Sequence, residues 1–157
     1  MQEKRPFLSG GWPVLLFLVV GCAVISLTSC VVATMPKTFV EASEPGWTRI
    51  DLREGVDLEQ AWREVIDILA KRFELEVISK DGKYIRTSWL HTWWKQGEVT
   101  DKYRVRAVVK FSPDGTAIDV RTEAQFLVKK QWIIGYDTRM LSTIKTDIGG
   151  ILGRTAG

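Results

Sequence analysis

Two runs of alternating apolar and polar residues, joined by one tight turn, dominate the second half of this chain. The first run, YRVRAVVKF, covers residues 103–111, and the second, TAIDVRTEAQF, covers residues 116–126. Alternation sends every second side chain to the same face, which is typical of a strand that is buried on one side. The SPDG segment between the runs places proline and glycine where a turn requires them. The pattern therefore predicts an antiparallel hairpin at the centre of the fold.

The turn also predicts a register for this hairpin. If Phe111 faces Thr116, the apolar side chains of the two strands pair with one another on one face. The same register places Arg104 opposite Glu123 on the other face, and opposite charges in such cross-strand pairs are stabilising. Because the pattern and the turn agree, we expect this register.

Four further segments show regular patterns. Residues 47–52 alternate like a strand, and residues 75–94 have the pattern of a second hairpin that turns at an Asp-Gly pair. Residues 57–73 and 137–153 carry apolar residues at helical spacing, and each segment begins with an aspartate that can cap a helix. Together these segments predict an α+β fold, a four- to five-stranded antiparallel sheet with two helices packed on one face.

The N-terminal part of the chain has the features of an export signal. A short basic start precedes residues 12–33, which carry no charge and are mostly apolar. The LTSC sequence at 27–30 resembles the bacterial lipobox, in which the cysteine is joined to diacylglycerol and becomes the new N-terminus. We therefore expect residues 1–29 to be a signal peptide and Cys30 to be the lipidated residue. Two alternatives stay open: processing at Cys22, and an uncut membrane helix, for which about 20 apolar residues suffice.

All three interpretations place the folded part of the chain outside the cytoplasm. In enterobacterial lipoprotein sorting, an aspartate after the lipidated cysteine favours the inner membrane, but Val31 occupies that position here. We therefore expect attachment to the periplasmic face of the outer membrane, whereas an uncut helix would anchor the chain in the inner membrane. Residues 30–46 contain two prolines and show no period, which predicts a lipidated tether that contributes nothing to the core. Residues 47–157 then form a single α+β domain.

One segment, LEQAWREVIDILAKRFELEVISKDGKYIRTSW, resembles the repeated domain of BamC-type outer-membrane lipoproteins. In that family an AWR helix start leads to a buried strand, an acidic-glycine turn and a tyrosine-rich strand. The resemblance implies a helix-grip fold and a noncatalytic accessory role in the machinery that inserts β-barrel proteins into the outer membrane. The chain has room for one such domain where BamC has two, and its tether is shorter than the segment by which BamC grips its partner. The matching positions are Ala61, Trp62, Arg63, Phe73, Val77, Asp81, Gly82 and Tyr84.

The residue types that most enzymes need are scarce after Cys30. No cysteine follows that position, and His91 is the single histidine of the chain. A Cys-ligated zinc and a cysteine nucleophile are therefore excluded, and a lone histidine between aromatic residues is more often packed than catalytic. We expect no enzymatic activity, no metal and no cofactor. Asp119 and Glu123 interleave with the basic residues of the central hairpin, so we also expect no nucleic-acid partner.

Tryptophan is the residue type that the predicted core does not fully explain. Trp93 and Trp94 are adjacent, so strand alternation would send one of them away from the helices. Tryptophan is enriched at interface hot spots, and His91 shares the predicted strand face of Trp93. We predict that Trp93, Trp94 and His91 contact a protein partner. The chain would then be a lipid-anchored, noncatalytic interaction domain of a cell-envelope complex. The alternative is a periplasmic binding module that takes an apolar or glycan ligand in the groove between sheet and helices.

Overall fold

The computed structural model describes residues 35–154, and these form an α+β fold. An antiparallel sheet carries both helices on one face, so the predicted fold class is confirmed. The predicted lipoprotein signal lies outside the described residues. The strands are β1 (Phe39–Glu41), β2 (Thr48–Asp51), β3 (Leu75–Ser79), β4 (Tyr84–Thr87), β5 (Trp94–Lys95), β6 (Glu98–Val99), β7 (Tyr103–Phe111), β8 (Ala117–Val128) and β9 (Gln131–Asp137), and the helices are α1 (Leu58–Ala70) and α2 (Thr138–Leu152).

The main sheet has seven strands, where the sequence patterns predict four or five. Its order is β1-β9-β8-β7-β4-β3, and the long strand β8 pairs with β2 in its first part and with β9 in its second part. The sequence pattern missed β9 because both of its faces carry large apolar residues, with Trp132 and Ile134 on one face and Ile133 on the other. β5 and β6 form a separate two-stranded hairpin.

β1 shows that the tether predicted for residues 30–46 is wrong from Pro36 onward. Phe39 is buried, and its ring centroid lies 5.9 Å from that of Tyr103 and 6.2 Å from that of Phe126. All three residues of β1 pair with β9. A strand of three residues is too short to show alternation, which is why the sequence pattern did not reveal it. The folded domain therefore includes this segment, and the segment contributes to the core.

Gly135 in β9 gives β1 the space to pack. A Cβ atom at Gly135 would overlap the carbonyl oxygen of Val40 and would lie 2.8 Å from the ring of Phe39. The backbone of β1 therefore approaches this position more closely than any side chain would allow. The glycine is a sequence signal for β1 that can be understood only once the strand pairing is known.

The central hairpin is confirmed, but its predicted register is wrong by two residues. Phe111 faces Ile118 rather than Thr116, and the same offset holds along both strands. A shift of two residues keeps every side chain on its face, so the apolar pattern cannot detect it. The reason for the shift is the turn, in which the backbone N–H of Ser112 donates to the carbonyl of Ala117 at 2.9 Å and closes a longer loop.

Asp114 stabilises this turn through its carboxylate. Its Oδ1 accepts hydrogen bonds from the hydroxyl of Ser112 at 2.5 Å and from the backbone N–H of Thr116 at 3.1 Å. The Ser112 hydroxyl, followed by the Thr116 backbone, lowers the pKa of Asp114 from 3.8 to about 2. The ionised carboxylate is thus favoured by the folded turn.

We expect Asp114→Asn, which removes the charge but keeps an acceptor oxygen, to lower the melting temperature at neutral pH and not in strong acid. A carboxyl group with a lower pKa in the folded state stabilises that state above its unfolded pKa, and the effect is lost as pH falls toward the folded pKa. The difference in melting temperature between the wild type and the variant should therefore be constant above about pH 5 and shrink between about pH 4 and pH 2. Thermal melts across this range measure it, and a difference that does not change with pH would contradict the assignment.

Both predicted helix caps are confirmed. Asp57 Oδ1 accepts a hydrogen bond from the backbone N–H of Gln60 at 2.7 Å, and Asp137 Oδ1 accepts one from that of Met140 at 2.7 Å. The apolar stripes of α1 and α2 pack on the sheet in one core, while among the described residues no helix covers the opposite face. Buried members of this core include Ala61, Val65, Leu69, Ile144, Ile148 and Leu152 from the helices and Ile85, Ala107, Val109, Ile118 and Val120 from the sheet.

Candidate functional site

The predicted partner-contact residues lie in and beside a loop, not on a strand of the main sheet. β4 ends at Thr87, whose hydroxyl oxygen accepts a hydrogen bond from the backbone N–H of Ala107 at 2.9 Å. This side-chain bond takes the place of a backbone bond between strands, so the predicted continuation of the strand is wrong after Thr87. Residues 88–93 contact β7 through an isolated bridge between Leu90 and Val105.

Trp94 begins the short hairpin of β5 and β6 and lies on the surface. It is 67% exposed, and its cross-strand partner Val99 is 44% exposed. Directly paired residues share one face of a hairpin, so these two side chains form one exposed apolar surface, the Trp94–Val99 patch. The turn residues Gln96 and Gly97 have positive φ angles of 54° and 86°, as two-residue hairpin turns require.

Trp93 lies half-buried against a second, smaller core cluster. Its ring centroid is 5.5 Å from that of Phe126, with an interplanar angle of 73°. The same cluster contains Phe39 from β1 and Tyr103 from β7. Trp93 and Trp94 therefore occupy opposite environments, as their adjacency predicts, although neither lies on the predicted strand.

His91 is exposed and holds the loop against β7. Its Nδ1 lies 3.1 Å from the backbone carbonyl oxygen of Tyr103. The carbonyl oxygen can only accept, so Nδ1 carries the proton and donates. The structure gives His91 a role in positioning the loop that carries Trp93.

The sheet face without helices carries a stack of side chains that the sequence patterns missed. The guanidinium carbon of Arg104 lies 4.6 Å from the ring centroid of Trp89 and 4.4 Å from that of Trp132. Arg106 lies 4.4 Å from the same Trp89 ring. Such cation–π contacts contribute about 0.5–1 kcal/mol each at exposed sites. The two tryptophans come from distant segments, so no spacing in the sequence could reveal this stack.

The charges on this face are largely satisfied by neighbouring residues. Glu123 forms ion pairs with Arg106 at 2.6 Å and with Arg121 at 2.5 Å. Arg104 donates to the side-chain oxygen of Gln125 through Nε at 2.9 Å and Nη2 at 2.6 Å. The stack is therefore a self-contained surface network, in which the carboxylate of Glu123 offsets two of the guanidinium groups.

No protein-family model and no curated protein matches the chain. Neither helix within residues 35–154 is long and apolar enough to cross a membrane. In that same part of the chain, no three His, Cys, Asp or Glu side chains form a group that could hold a metal ion.

Asp137 connects the residue before β1, strand β7 and helix α2 through one buried carboxylate. Its Oδ2 accepts hydrogen bonds from the hydroxyl of Tyr103 at 2.6 Å and from that of Thr38 at 2.7 Å. Burial, followed by the bond to Asp137, raises the pKa of Tyr103, so its hydroxyl keeps the proton that it donates. This network fixes the position of the N-terminus of α2 relative to β1.

A cavity of about 450 Å³ lies beside Trp93, where α2 begins. Trp93 and Met140 form its apolar wall. Three basic side chains surround it: Lys37, Arg72 and Arg139. Sequence reasoning could not find this site, because its members come from the supposed tether, the end of α1, the loop and the first turn of α2.

Proposed function

We propose that this chain is a noncatalytic, lipid-anchored interaction domain in a complex of the bacterial cell envelope. The exposed Trp94–Val99 patch is the observation that carries the proposal. The resemblance to BamC-type domains makes the machinery that assembles outer-membrane proteins the first complex to test. We place the domain on the periplasmic face of the outer membrane, or on the inner membrane if the apolar N-terminal run is not cut.

The composition of the patch supports a protein contact. Leaving apolar surface in water is unfavourable by about 25 cal/mol per Å², and tryptophan is among the residues most enriched at interface hot spots. Lys95 and Glu98 pair directly beside the patch and provide the polar rim that such contacts have. Burial of Trp94 against a partner would remove its indole from water and leave these charges at the edge.

The surroundings of His91 support a noncatalytic role. A histidine base is normally oriented by one partner while its other nitrogen faces a nucleophile or the substrate. Here Nδ1 is bonded to the main chain of Tyr103, and the residue lies on an exposed loop. Glu123 likewise offsets the arginines of the sheet face, which supports the absence of a nucleic-acid partner.

We expect Trp94→Ala to abolish partner recovery while leaving the melting temperature nearly unchanged. Loss of an interface hot spot costs about 2 kcal/mol or more, roughly 30-fold in affinity. Trp93→Ala should instead destabilise the fold by about 3 kcal/mol, since Trp93 packs on Phe126. The measurements are thermal melting of each variant and mass spectrometry of partners recovered from crosslinked, solubilised envelope.

Ile78→Ala is the matched control for these variants. Ile78 is 52% exposed and lies on the edge strand β3, so its truncation should alter neither stability nor recovery. If Trp94→Ala recovers the same partners as wild type, the interface lies elsewhere. If Trp94→Ala melts much lower than wild type, the side chain is part of the core.

Lipid attachment is tested separately at the two cysteines, which lie outside the described residues. Cys30→Ala should prevent acylation and leave uncleaved precursor, because the lipid is joined to the thiol of that residue. Cys22→Ala should change little and serves as the control. Incorporation of labelled palmitate measures both variants. Label that still enters the Cys30→Ala protein would show that Cys30 is not the attachment site.

A second candidate function is a periplasmic binding module, and the cavity beside Trp93 favours it. Its volume of about 450 Å³ falls within the range of about 300–1,000 Å³ that is usual for small-molecule sites. Its basic border favours an anionic ligand over the apolar or glycan ligand expected from the sequence. This candidate predicts binding of a small molecule with no effect of Trp94→Ala.

A further inference from the structure

We propose that the cavity beside Trp93 binds the phosphate headgroup of an anionic membrane lipid and thereby orients the domain on the membrane. The inference rests on the proposed membrane attachment of the N-terminus. Lys37 and Arg139 supply the charge, and Trp93 and Met140 supply an apolar wall for the glycerol portion next to the phosphate.

Two of the three basic side chains at the cavity are available for an anion. Arg72 donates to Asp147 at 2.7 Å. Within residues 35–154, the ion pairs closer than 4.0 Å do not involve Lys37 or Arg139. Asp137 also borders the cavity, but its carboxylate already accepts three hydrogen bonds from the protein. A phosphate group, which accepts several charge-assisted hydrogen bonds, is the complementary ligand.

The cavity lies near the lipid surface if the chain is lipidated at Cys30 or is anchored by an uncut helix. Lys37 is four residues after Ala33, the last residue of the predicted N-terminal apolar run, and seven residues after Cys30. An extended chain spans about 3.6 Å per residue, so Lys37 lies within about 14 Å of the end of an uncut helix or about 25 Å of a lipidated Cys30. Because β1 fixes the chain to the domain from Phe39 onward, no long tether can carry the cavity away.

This position favours a lipid headgroup over a soluble phosphate. Both offer the same oxygens to Lys37 and Arg139, but only the lipid is held at high local concentration by the anchor. Unlike inorganic phosphate, the lipid also has apolar atoms beside the phosphate, which match Trp93 and Met140. Each basic residue near an anionic leaflet strengthens association about fivefold, equivalent to about 1 kcal/mol.

The experiment uses the full chain in nanodiscs, either of phosphatidylcholine alone or with phosphatidylglycerol added. Amide hydrogen exchange is measured for residues 36–41 and 138–143, which border the cavity. We expect slower exchange in both segments when phosphatidylglycerol is present. Lys37→Gln together with Arg139→Gln should weaken docking about 30-fold, through the loss of two basic contacts, and abolish this protection. Protection should also fall as salt is raised from about 0.05 to 0.5 M, since screening shortens the range of the charges.

Lys145→Gln together with Arg154→Gln is the matched control, because it removes the same charge from a different cavity, which is lined by the middle of α2 and the residues after its end. It should retain the protection. Equal exchange in the two lipid compositions, or equal loss of protection in the control, would overturn the proposal. Protection by millimolar inorganic phosphate in phosphatidylcholine alone would assign the site to a soluble anion, and protection that requires added envelope proteins would assign it to a protein. Normal partner recovery through Trp94 in any of these cases would leave the proposed function standing.

Discussion

Removal of residues 35–45 should cost the domain most of its stability. Truncation of a buried phenylalanine alone costs about 3–5 kcal/mol, and the deletion removes Phe39 together with all of β1. It also removes the hydroxyl of Thr38, which donates to a buried carboxylate at 2.7 Å. Domains are stable by only about 5–15 kcal/mol, so a fragment that starts at Gly46 should melt far lower than one that starts at Met35, or without a cooperative transition. Urea unfolding of both fragments, followed by circular dichroism, measures the difference.

Point variants within the full chain separate the contribution of β1 from the effect of a shorter chain. Phe39→Ala should be strongly destabilising, whereas Val40→Ala, at the next and exposed position, should be nearly neutral. Gly135→Ala should resemble Phe39→Ala, because its methyl group would push β1 away from β9. If the two fragments unfold at the same urea concentration, β1 is not part of the folding unit and the domain begins after it.

The correctly predicted elements are those whose signals are local. The caps at Asp57 and Asp137 depend on a hydrogen bond only three residues along the chain. β7 and β8 are 9 and 12 residues long, so their alternation is repeated enough to exclude a helix. In each case the pattern and the local hydrogen bonds agree, and tertiary contacts need not decide between alternatives.

The errors arise where a distant residue decides the structure. β1 forms because Gly135, almost a hundred positions later, leaves room for it. β4 stops where the hydroxyl of Thr87 bonds to the backbone of Ala107, and neither residue marks that contact in the sequence. The register of the central hairpin depends on the backbone bond between Ser112 and Ala117, which a two-residue shift of the apolar pattern does not disturb.

The candidate site was predictable only in part, for the same reason. Adjacency alone predicts that Trp93 and Trp94 face opposite environments. Adjacency cannot show that Trp94 is carried by its own small hairpin, because β5 and β6 are two residues each. The cavity beside Trp93 depends on Lys37 and Arg139, which come together only after β1 has paired with β9.

Asp137→Ala should destabilise the domain far more than Asp57→Ala, although both residues cap a helix with a hydrogen bond of 2.7 Å. Loss of a cap costs about 1 kcal/mol, and this is the whole effect expected at the exposed Asp57. Asp137 is buried and also accepts hydrogen bonds from Tyr103 and Thr38. Bonds to charged groups contribute about 1.5–3 kcal/mol, and their loss leaves the buried hydroxyl of Tyr103 and the partly buried hydroxyl of Thr38 unpaired. We therefore expect a loss of about 4 kcal/mol or more. Urea unfolding of the two variants measures the contrast.

Asp137→Asn tests whether the charge or only the shape of this side chain matters. An amide can still cap α2, but it presents an N–H₂ group or a weaker acceptor to the two hydroxyls. We therefore expect Asp137→Asn to lower the free energy of unfolding by an amount between the losses for Asp57→Ala and Asp137→Ala. In a double-mutant cycle with Tyr103→Phe, the coupling to Asp137 should exceed about 1 kcal/mol, because residues in one buried network are not additive. If the two substitutions have additive effects on the free energy of unfolding, the contribution of the Tyr103 hydroxyl to stability does not depend on the Asp137 carboxylate. Equal losses of stability for Asp57→Ala and Asp137→Ala would reduce Asp137 to a helix cap. The segment before β1 would then be joined to α2 by the hydrogen bonds that Thr138 donates to the carbonyl of Thr38, at 2.9 Å and 3.2 Å.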